Sequence, residues 1–413
     1  MSAKLTSQTL DNGLRVVVET MPDVSSAAVG FLVDTGARDE VSEQAGVSHF
    51  LEHMMFKGTP RRDWSQITID FDRMGSTYNA YTSVDRTVYY GWVRKNDLGQ
   101  QVELLADMLQ STIPQEEFDK EKQVVLEEIA MAKDSLDHVA FDFLQEKVFS
   151  GHPLSWPILG YDQTVSDLER DTMFAYFQRR YVPKNMVMVA TGAVDPDELF
   201  GLANEHCGSW TGQDDGHERK QPVMHAGSDT LQLERFNQQL LALSFPAVGA
   251  ADPLAETAGA AATILGGDNS RFYWNIVQEG IAPRAGAFHF DFSDCGLMLL
   301  YGSTQPENAE QLLDAIRQEA DRICKEPVKP DELERVKNKR RTGLAMESEA
   351  PYQRLTQIMD DMQYRGTPRS VDQMLADVEA ITIEGVSEYW QQYPINTGGH
   401  LTSAGPRDWP TSN

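Results

Sequence analysis

The 413-residue sequence is poor in cysteine, in positive charge and in long apolar runs, and each scarcity removes a class of protein. Its three cysteines, Cys207, Cys295 and Cys324, lie far apart with no Cys-x-x-Cys pair, which excludes a disulfide framework and a cysteine zinc cluster. They read as reduced thiols in a reducing compartment. No apolar run approaches the roughly 20 residues that cross a bilayer. The start, Met1-Ser2-Ala3-Lys4-Leu5-Thr6-Ser7, carries no apolar signal core, so the expected location is cytoplasmic. Lysine and arginine number 36 against 63 aspartates and glutamates, a net charge of −27. That charge repels polyanions and argues against nucleic-acid and anionic-membrane partners, while it suits cationic peptides.

The length exceeds what one compact core organises and implies two domains of about 200 residues each. Leu10-Asp11-Asn12-Gly13-Leu14 holds an Asn-Gly hairpin turn, followed by the β-branched run of Val16, Val17 and Val18. Further strands are expected at Ala27 to Val33, Val88 to Val93 and Val187 to Ala190, with helices from Leu98 to Leu109 and from Pro114 to Met131. Pro114 suits a first helical position, and Gln115, Glu116 and Glu117 suit a positive helix start. A polar, turn-rich stretch without apolar periodicity marks a linker at 212–222, separating domains at 1–211 and 223–413. Beyond it the order repeats: a strand at Leu240 to Phe245, helices at Ala255 to Leu265 and Arg271 to Gln278, and strands at Ala285 to Phe292 and Leu297 to Gly302. Long helices and a short strand at His400 to Ser403 complete it. The expected fold class is α+β, with two duplicated domains, each a mostly antiparallel sheet packed with helices.

The chemistry centres on His49-Phe50-Leu51-Glu52-His53. Val47, Phe50, Leu51, Met54 and Met55 recur at helical spacing, so the two histidines, four apart, lie one above the other on a helix face. Two imidazoles so placed can reach one metal ion. Glu52 projects toward the same region and is free to act as a base. The order His-x-x-Glu-His reverses the zincin motif and defines the inverted zincin. The equivalent stretch of the second half, Ala258 to Leu265, contains no ligand type.

A catalytic zinc needs a third protein ligand and an open position. In Glu121-Lys122-Gln123-Val124-Val125-Leu126-Glu127-Glu128, Glu121 and Glu128 are seven apart and share a helix face, whereas Glu127 is rotated by about 100°. One of the pair can ligate while the other supports a histidine. Spacing alone also allows a merely solvated acidic face.

His49-x-x-Glu52-His53 followed by Glu121-x6-Glu128 resembles the inverzincin peptidases, which include pitrilysin, insulin-degrading enzyme and the mitochondrial processing peptidase. The likeness extends through Asn12 to Val16, Gly36 to Glu40, His49 to Gly58, Asn79 to Ser83, Glu121 to Ile129 and Pro157 to Gly160. Length and the single metal motif are similar to the short-subunit branch of the processing peptidase β subunit. The resemblance implies a zinc metalloendopeptidase, with one zinc per chain held by His49, His53 and Glu128. It makes Glu52 the general base toward a zinc-activated water and places Glu121 behind the ligands. Asn79 and Ala80 would bind the substrate backbone at an edge strand. Each chain would form half of a clam-shell that encloses peptides or unfolded segments.

One departure bears on partners. The family carries a tyrosine in a Gly-Leu-Ala-Tyr segment of its second domain and an arginine seven residues earlier. Here the segment reads Gly280-Ile281-Ala282-Pro283, with Ile276 at the arginine position. Arg271 matches a different, structural arginine, and Arg284 is the nearby cation. The expected assembly is therefore a heterodimer with a homologous subunit that carries the Arg/Tyr pair, a homodimer being the other possibility. A competing reading is a non-catalytic assembly subunit, for which the intact His49, Glu52, His53 and Glu128 set is not needed.

Overall fold

The computed structural model describes residues 4–212, 216 and 219–408. Met1 to Ala3 of the amino-terminal reading, and residues 213–215, 217 and 218 of the expected linker, lie outside the described residues. In chain order the strands are β1 (Lys4–Thr9), β2 (Arg15–Thr20), β3 (Ser26–Val33), β4 (Thr77–Thr82), β5 (Thr87–Arg94), β6 (Met186–Gly192), β7 (Gly227–Gln232), β8 (Gln239–Ala247), β9 (Arg284–Asp291), β10 (Gly296–Thr304) and β11 (His400–Gly405). The helices are α1 (Val47–Met54), α2 (Trp64–Met74), α3 (Leu98–Met108), α4 (Gln115–Lys133), α5 (Leu136–Val148), α6 (Asp162–Asp167), α7 (Arg170–Arg180), α8 (Pro196–Cys207), α9 (Ala255–Gly266), α10 (Ala309–Lys325), α11 (Pro330–Glu347), α12 (Pro351–Tyr364), α13 (Val371–Ala380) and α14 (Ile383–Gln392). Among the described residues, no helix is long and apolar enough to cross a membrane.

The chain forms two compact units that are not contiguous in sequence. One comprises Met1–Ala130, Trp156–Arg219 and Ala345–Ser370; the other comprises Met131–Ser155, Lys220–Leu344 and Val371–Asn413. Residues 131–155 and 345–370 are thus exchanged relative to the contiguous division at 212–222. The described residues of that stretch form no helix or strand.

The first unit is built on a six-stranded sheet in the order β1-β2-β6-β3-β5-β4, antiparallel except for the parallel β2/β6 pair. Successive side chains of a strand point to opposite faces, and both faces of this sheet are apolar. Val16, Val18, Val29, Phe31, Tyr89 and Met188 join one core with Phe50, Leu51, Leu105 and Phe118 of the helices. Val17, Ala28, Leu32, Val88, Val187 and Val189 face the other way, against Leu355, Ile358, Met359 and Met362 of α12. A sheet buried on both faces reads as unbroken apolar runs rather than alternation, as β2, β3 and β6 do. Arg354 of α12 anchors the second layer, its Nε and Nη2 donating to the buried Glu19 at 2.6 and 2.9 Å. Among the described residues, strand β4 pairs only with β5 and forms the edge of the sheet.

The second unit repeats the connectivity. Its sheet runs β7-β11-β8-β10-β9, with the one parallel pair again at β7/β11. Leu241, Leu243 and Phe245 alternate into a core with Met298, Leu300, Ile316 and the alanine-rich α9, the counterpart of α1. Residues 271–278 form a helix that differs from the α-type expected: Tyr273–Val277 is a π turn, in which Gln278 N–H bonds Tyr273 O five residues back.

Candidate metal centre

Helix α1 owes its position to its start. Gly46 adopts a left-handed φ of +96°, and a Cβ there would lie 2.7 Å from Leu159 O, so the chain can enter the helix at this angle only with glycine. The buried carboxylate of Glu40 accepts from Gly46 N at 2.7 Å and Ser48 N at 2.8 Å, satisfying amides of the first turn. Burial outweighs those bonds and pushes the Glu40 pKa up to about 8. Val47, Phe50, Leu51 and Met54 are buried, which turns His49, Glu52 and His53 toward the opposite side. The two imidazoles meet edge to face, with ring centres 4.7 Å apart.

Helix α4 packs on α1 through Phe118, whose ring stacks on Phe50 at 4.8 Å. This aims Glu121 and Glu128 at the histidines. Glu128 Oε2 lies 3.6 Å from Nε2 of both His49 and His53. Glu121 Oε1 lies 2.9 Å from His53 Nδ1, while its other oxygen pairs with Lys57 Nζ at 2.7 Å. A proton held on Nδ1 by Glu121 would leave the Nε2 lone pair of His53 for a metal.

His49, His53 and Glu128 each offer one ligand atom, all within 4.8 Å of one another, the one such group of three found among the described residues. A tetrahedral zinc with bonds of about 2.0–2.1 Å holds neighbouring ligand atoms about 3.3–3.4 Å apart. The 3.6 Å spacings come within a few tenths of an ångström of that requirement. Two imidazoles and one carboxylate leave a fourth position open, so these residues fit a zinc ion. His49 Nδ1 is buried without a hydrogen-bond partner among the described residues, and its ring lacks the carboxylate support that His53 has.

The electrostatics suit a cation. Burial, reinforced by the neighbouring His53, drives the His49 pKa down to about 3, which keeps its lone pair available. For His53 burial acts in the same sense, but Glu121, Glu128 and Glu52 outweigh it and raise its pKa. Burial is also the largest effect on Glu121, and His53 and Lys57 overcome it to hold the carboxyl below its usual range. Glu52 is raised by burial, against a hydrogen bond from Thr82 and the nearby His53. That bond, Thr82 Oγ1 to Glu52 Oε2, measures 2.6 Å.

Asn79 and Ala80 lie on the edge strand β4, at Tyr90 and Tyr89 of β5 in register. Asn79 Oδ1 accepts from Ala80 N at 2.9 Å, so this amide has a partner within the strand. Lys57 and Thr82 carry no role in the sequence reading, although both lie inside its quoted motifs. Lys57 is four residues after His53, a spacing that could have flagged it, whereas the contact of Thr82 with Glu52 arises only from tertiary packing. In the second unit both arginines near Pro283 are engaged. Arg271 makes a bidentate pair with Glu332 at 2.8 and 2.9 Å, and Arg284 one with Asp137 at 2.7 and 2.5 Å.

Sequence and fold comparisons identify the family. The family model described as insulinase (peptidase family M16) matches residues 15–162, and the one described as peptidase M16 inactive domain matches 167–340. A Bacillus subtilis protein named uncharacterized zinc protease YmxG is 29% identical over 382 residues, covering 92% of this chain and 93% of its own. A Rickettsia bellii protein named uncharacterized zinc protease is 30% identical over 381 residues, covering 91% and 92%. The crystal structure of a protease from Helicobacter pylori shares the fold, with a TM-score of 0.92 at 22% identity over 98% of this chain and 100% of that one. Because the two family models together span most of the sequence, the chain belongs to the M16 (insulinase) peptidase family.

Proposed function

We propose that the protein is a zinc-dependent metalloendopeptidase that hydrolyses peptides or unfolded polypeptide segments. The observation that carries this reading is the convergence of His49, His53 and Glu128 on one point, with Glu52 beside them. Zinc, when bound there, supplies a Lewis acid that polarises a carbonyl and acidifies a water. Glu52 would act as the base that accepts a proton from the attacking water and as the acid that returns one to the leaving amine. Glu121, 2.9 Å from Nδ1 of His53, would hold the proton there and leave Nε2 free to ligate a bound zinc. The edge of β4 at Asn79 and Ala80 would receive the substrate as an added strand, backbone to backbone, with Ala80 N exchanging its bond to Asn79 Oδ1 for one to the peptide. Metal analysis joined to peptide turnover tests the reading. Zinc in the native protein, and a fall in turnover of at least about a hundredfold in Glu52→Gln with zinc retained, is the expected result. A native protein without zinc would defeat it.

The assembly proposed is a chamber shared with a homologous subunit that contributes an Arg/Tyr pair. Support comes from Pro283 at the tyrosine position and from the engagement of Arg271 and Arg284 in bidentate ion pairs. Full activity of the purified chain alone, unchanged by any added subunit, would count against it. The same absence favours the second reading, a non-catalytic assembly subunit, which predicts no turnover even beside a partner that carries the pair.

A further inference from the structure

Glu52 makes one side-chain hydrogen bond among the described residues, the 2.6 Å bond that its Oε2 accepts from Thr82 Oγ1. Its other oxygen, Oε1, accepts no hydrogen bond among the described residues. The two oxygens of this carboxylate are therefore not equivalent. Thr82 is the last residue of β4, the edge strand that carries Asn79 and Ala80. Its hydroxyl reaches across to α1 although the two residues are 30 apart in sequence.

We propose that Thr82 is a positioning residue for Glu52, fixing Oε2 so that Oε1 alone faces the water and carries the proton. A glutamate side chain has three rotatable bonds, and leaving it unanchored spreads the base over several orientations. A charge-assisted bond as short as this one is among the stronger side-chain bonds. It selects one orientation without occupying the oxygen that must accept. The anchor also sits on the strand proposed to receive the peptide, so substrate alignment and base orientation share one element. In the Michaelis state this shows as an effect on the chemical step rather than on binding.

The inference rests on the peptidase reading above. Thr82→Val keeps the β-branched shape and the strand propensity but removes the donor; Thr82→Ser restores the donor without the methyl. The expected result is a fall in kcat of about 10- to 100-fold for Thr82→Val, the range typical of groups that orient a metal site's first layer. KM should stay within about twofold, zinc content should be unchanged, and Thr82→Ser should recover most of kcat. Crystal structures of the zinc-loaded variants give a readout independent of turnover: Glu52 should be displaced or spread over rotamers in Thr82→Val and returned in Thr82→Ser. An ordered, unmoved Glu52 in Thr82→Val overturns the inference. So does a loss confined to KM, or a Thr82→Ser protein as impaired as Thr82→Val. If the wild-type protein binds zinc but cleaves nothing even beside a subunit that carries the Arg/Tyr pair, the peptidase reading fails, while the crystallographic arm still reports whether Thr82 places Glu52.

Discussion

Glu121 Oε1 lies 2.9 Å from Nδ1 of His53, and Lys57 Nζ holds the other oxygen of the same carboxylate at 2.7 Å. The carboxylate is thus fixed from two sides and leaves the imidazole one orientation. Replacing Glu121 with alanine should weaken zinc binding by about 10- to 100-fold, and glutamine by less, because its carbonyl oxygen can still accept the Nδ1 proton. Competition against a chromophoric chelator at fixed pH reads both affinities. Equal affinity in the wild type and Glu121→Ala would remove the supporting role.

Asp107 is nearly buried, and its carboxylate receives Thr59 Oγ1 at 2.8 Å, Arg61 Nε at 2.8 Å and Arg62 Nη1 at 2.7 Å. Burial alone would raise its pKa, but the two arginines and the threonine outweigh burial and hold it below the usual range. A carboxylate depressed in the folded state stabilises above its unfolded pKa of about 3.9 and loses that contribution as pH falls through the folded value. The wild-type melting temperature should therefore fall on acidification below about pH 4. The fall should be shallower in Asp107→Asn, whose stability at neutral pH is lower from the start. Parallel acid profiles for the two proteins would contradict this.

Gly46 combines a left-handed φ with a carbonyl 2.7 Å from where a Cβ would stand. Gly46→Ala should destabilise the protein by about 1–3 kcal/mol. Because the residue sets the entry of α1, zinc affinity should fall along with the melting temperature. A loss of stability with unchanged affinity would mean that the strain is absorbed in the 159–160 loop instead.

Arg354 and Glu19 form a buried bidentate pair with side-chain exposures of 1% and 3%. Arg354→Met leaves Glu19 as an uncompensated buried charge, and the expected loss is about 3–5 kcal/mol by denaturant unfolding. The double variant Arg354→Met/Glu19→Leu should recover most of it.

These sites differ in how far the sequence exposed them. The apolar spacing of Val47, Phe50, Leu51 and Met54 located the helix face of His49 and His53, and the seven-residue interval from Glu121 to Glu128 located the opposing carboxylates. Both are periodicities within one helix, which a linear reading can measure. The turn at Asn12-Gly13 was equally local: Gly13 has a left-handed φ of +94°, but Asn12 does not, so the loop between β1 and β2 is longer than the two-residue turn an Asn-Gly pair favours. Thr82 and Glu40 were not legible as partners of Glu52 and of the α1 amides, because those bonds depend on how β4 and the 40–46 loop meet the helix. The unbroken apolar runs of β2, β3 and β6 carry the information that both faces of their sheet are covered. They do not name the cover, and α12 arrives from the far end of the chain. For the same reason, contiguity does not show that residues 131–155 cluster with the second compact unit and 345–370 with the first.

The distance along the chain from β6 to α12 has a consequence for biosynthesis. The 158 residues between Gly192 and Pro351 take about 8–32 s to translate at roughly 5–20 residues per second. Throughout that interval the strands of the metal-binding unit exist without the helix that seals their second face, and Val17, Ala28, Leu32, Val88, Val187 and Val189 are left to water. A ribosome stalled before residue 351 displays a greasy strand surface that invites chaperone capture or aggregation, because the sheet of the metal-binding unit is made well before the helix that covers it.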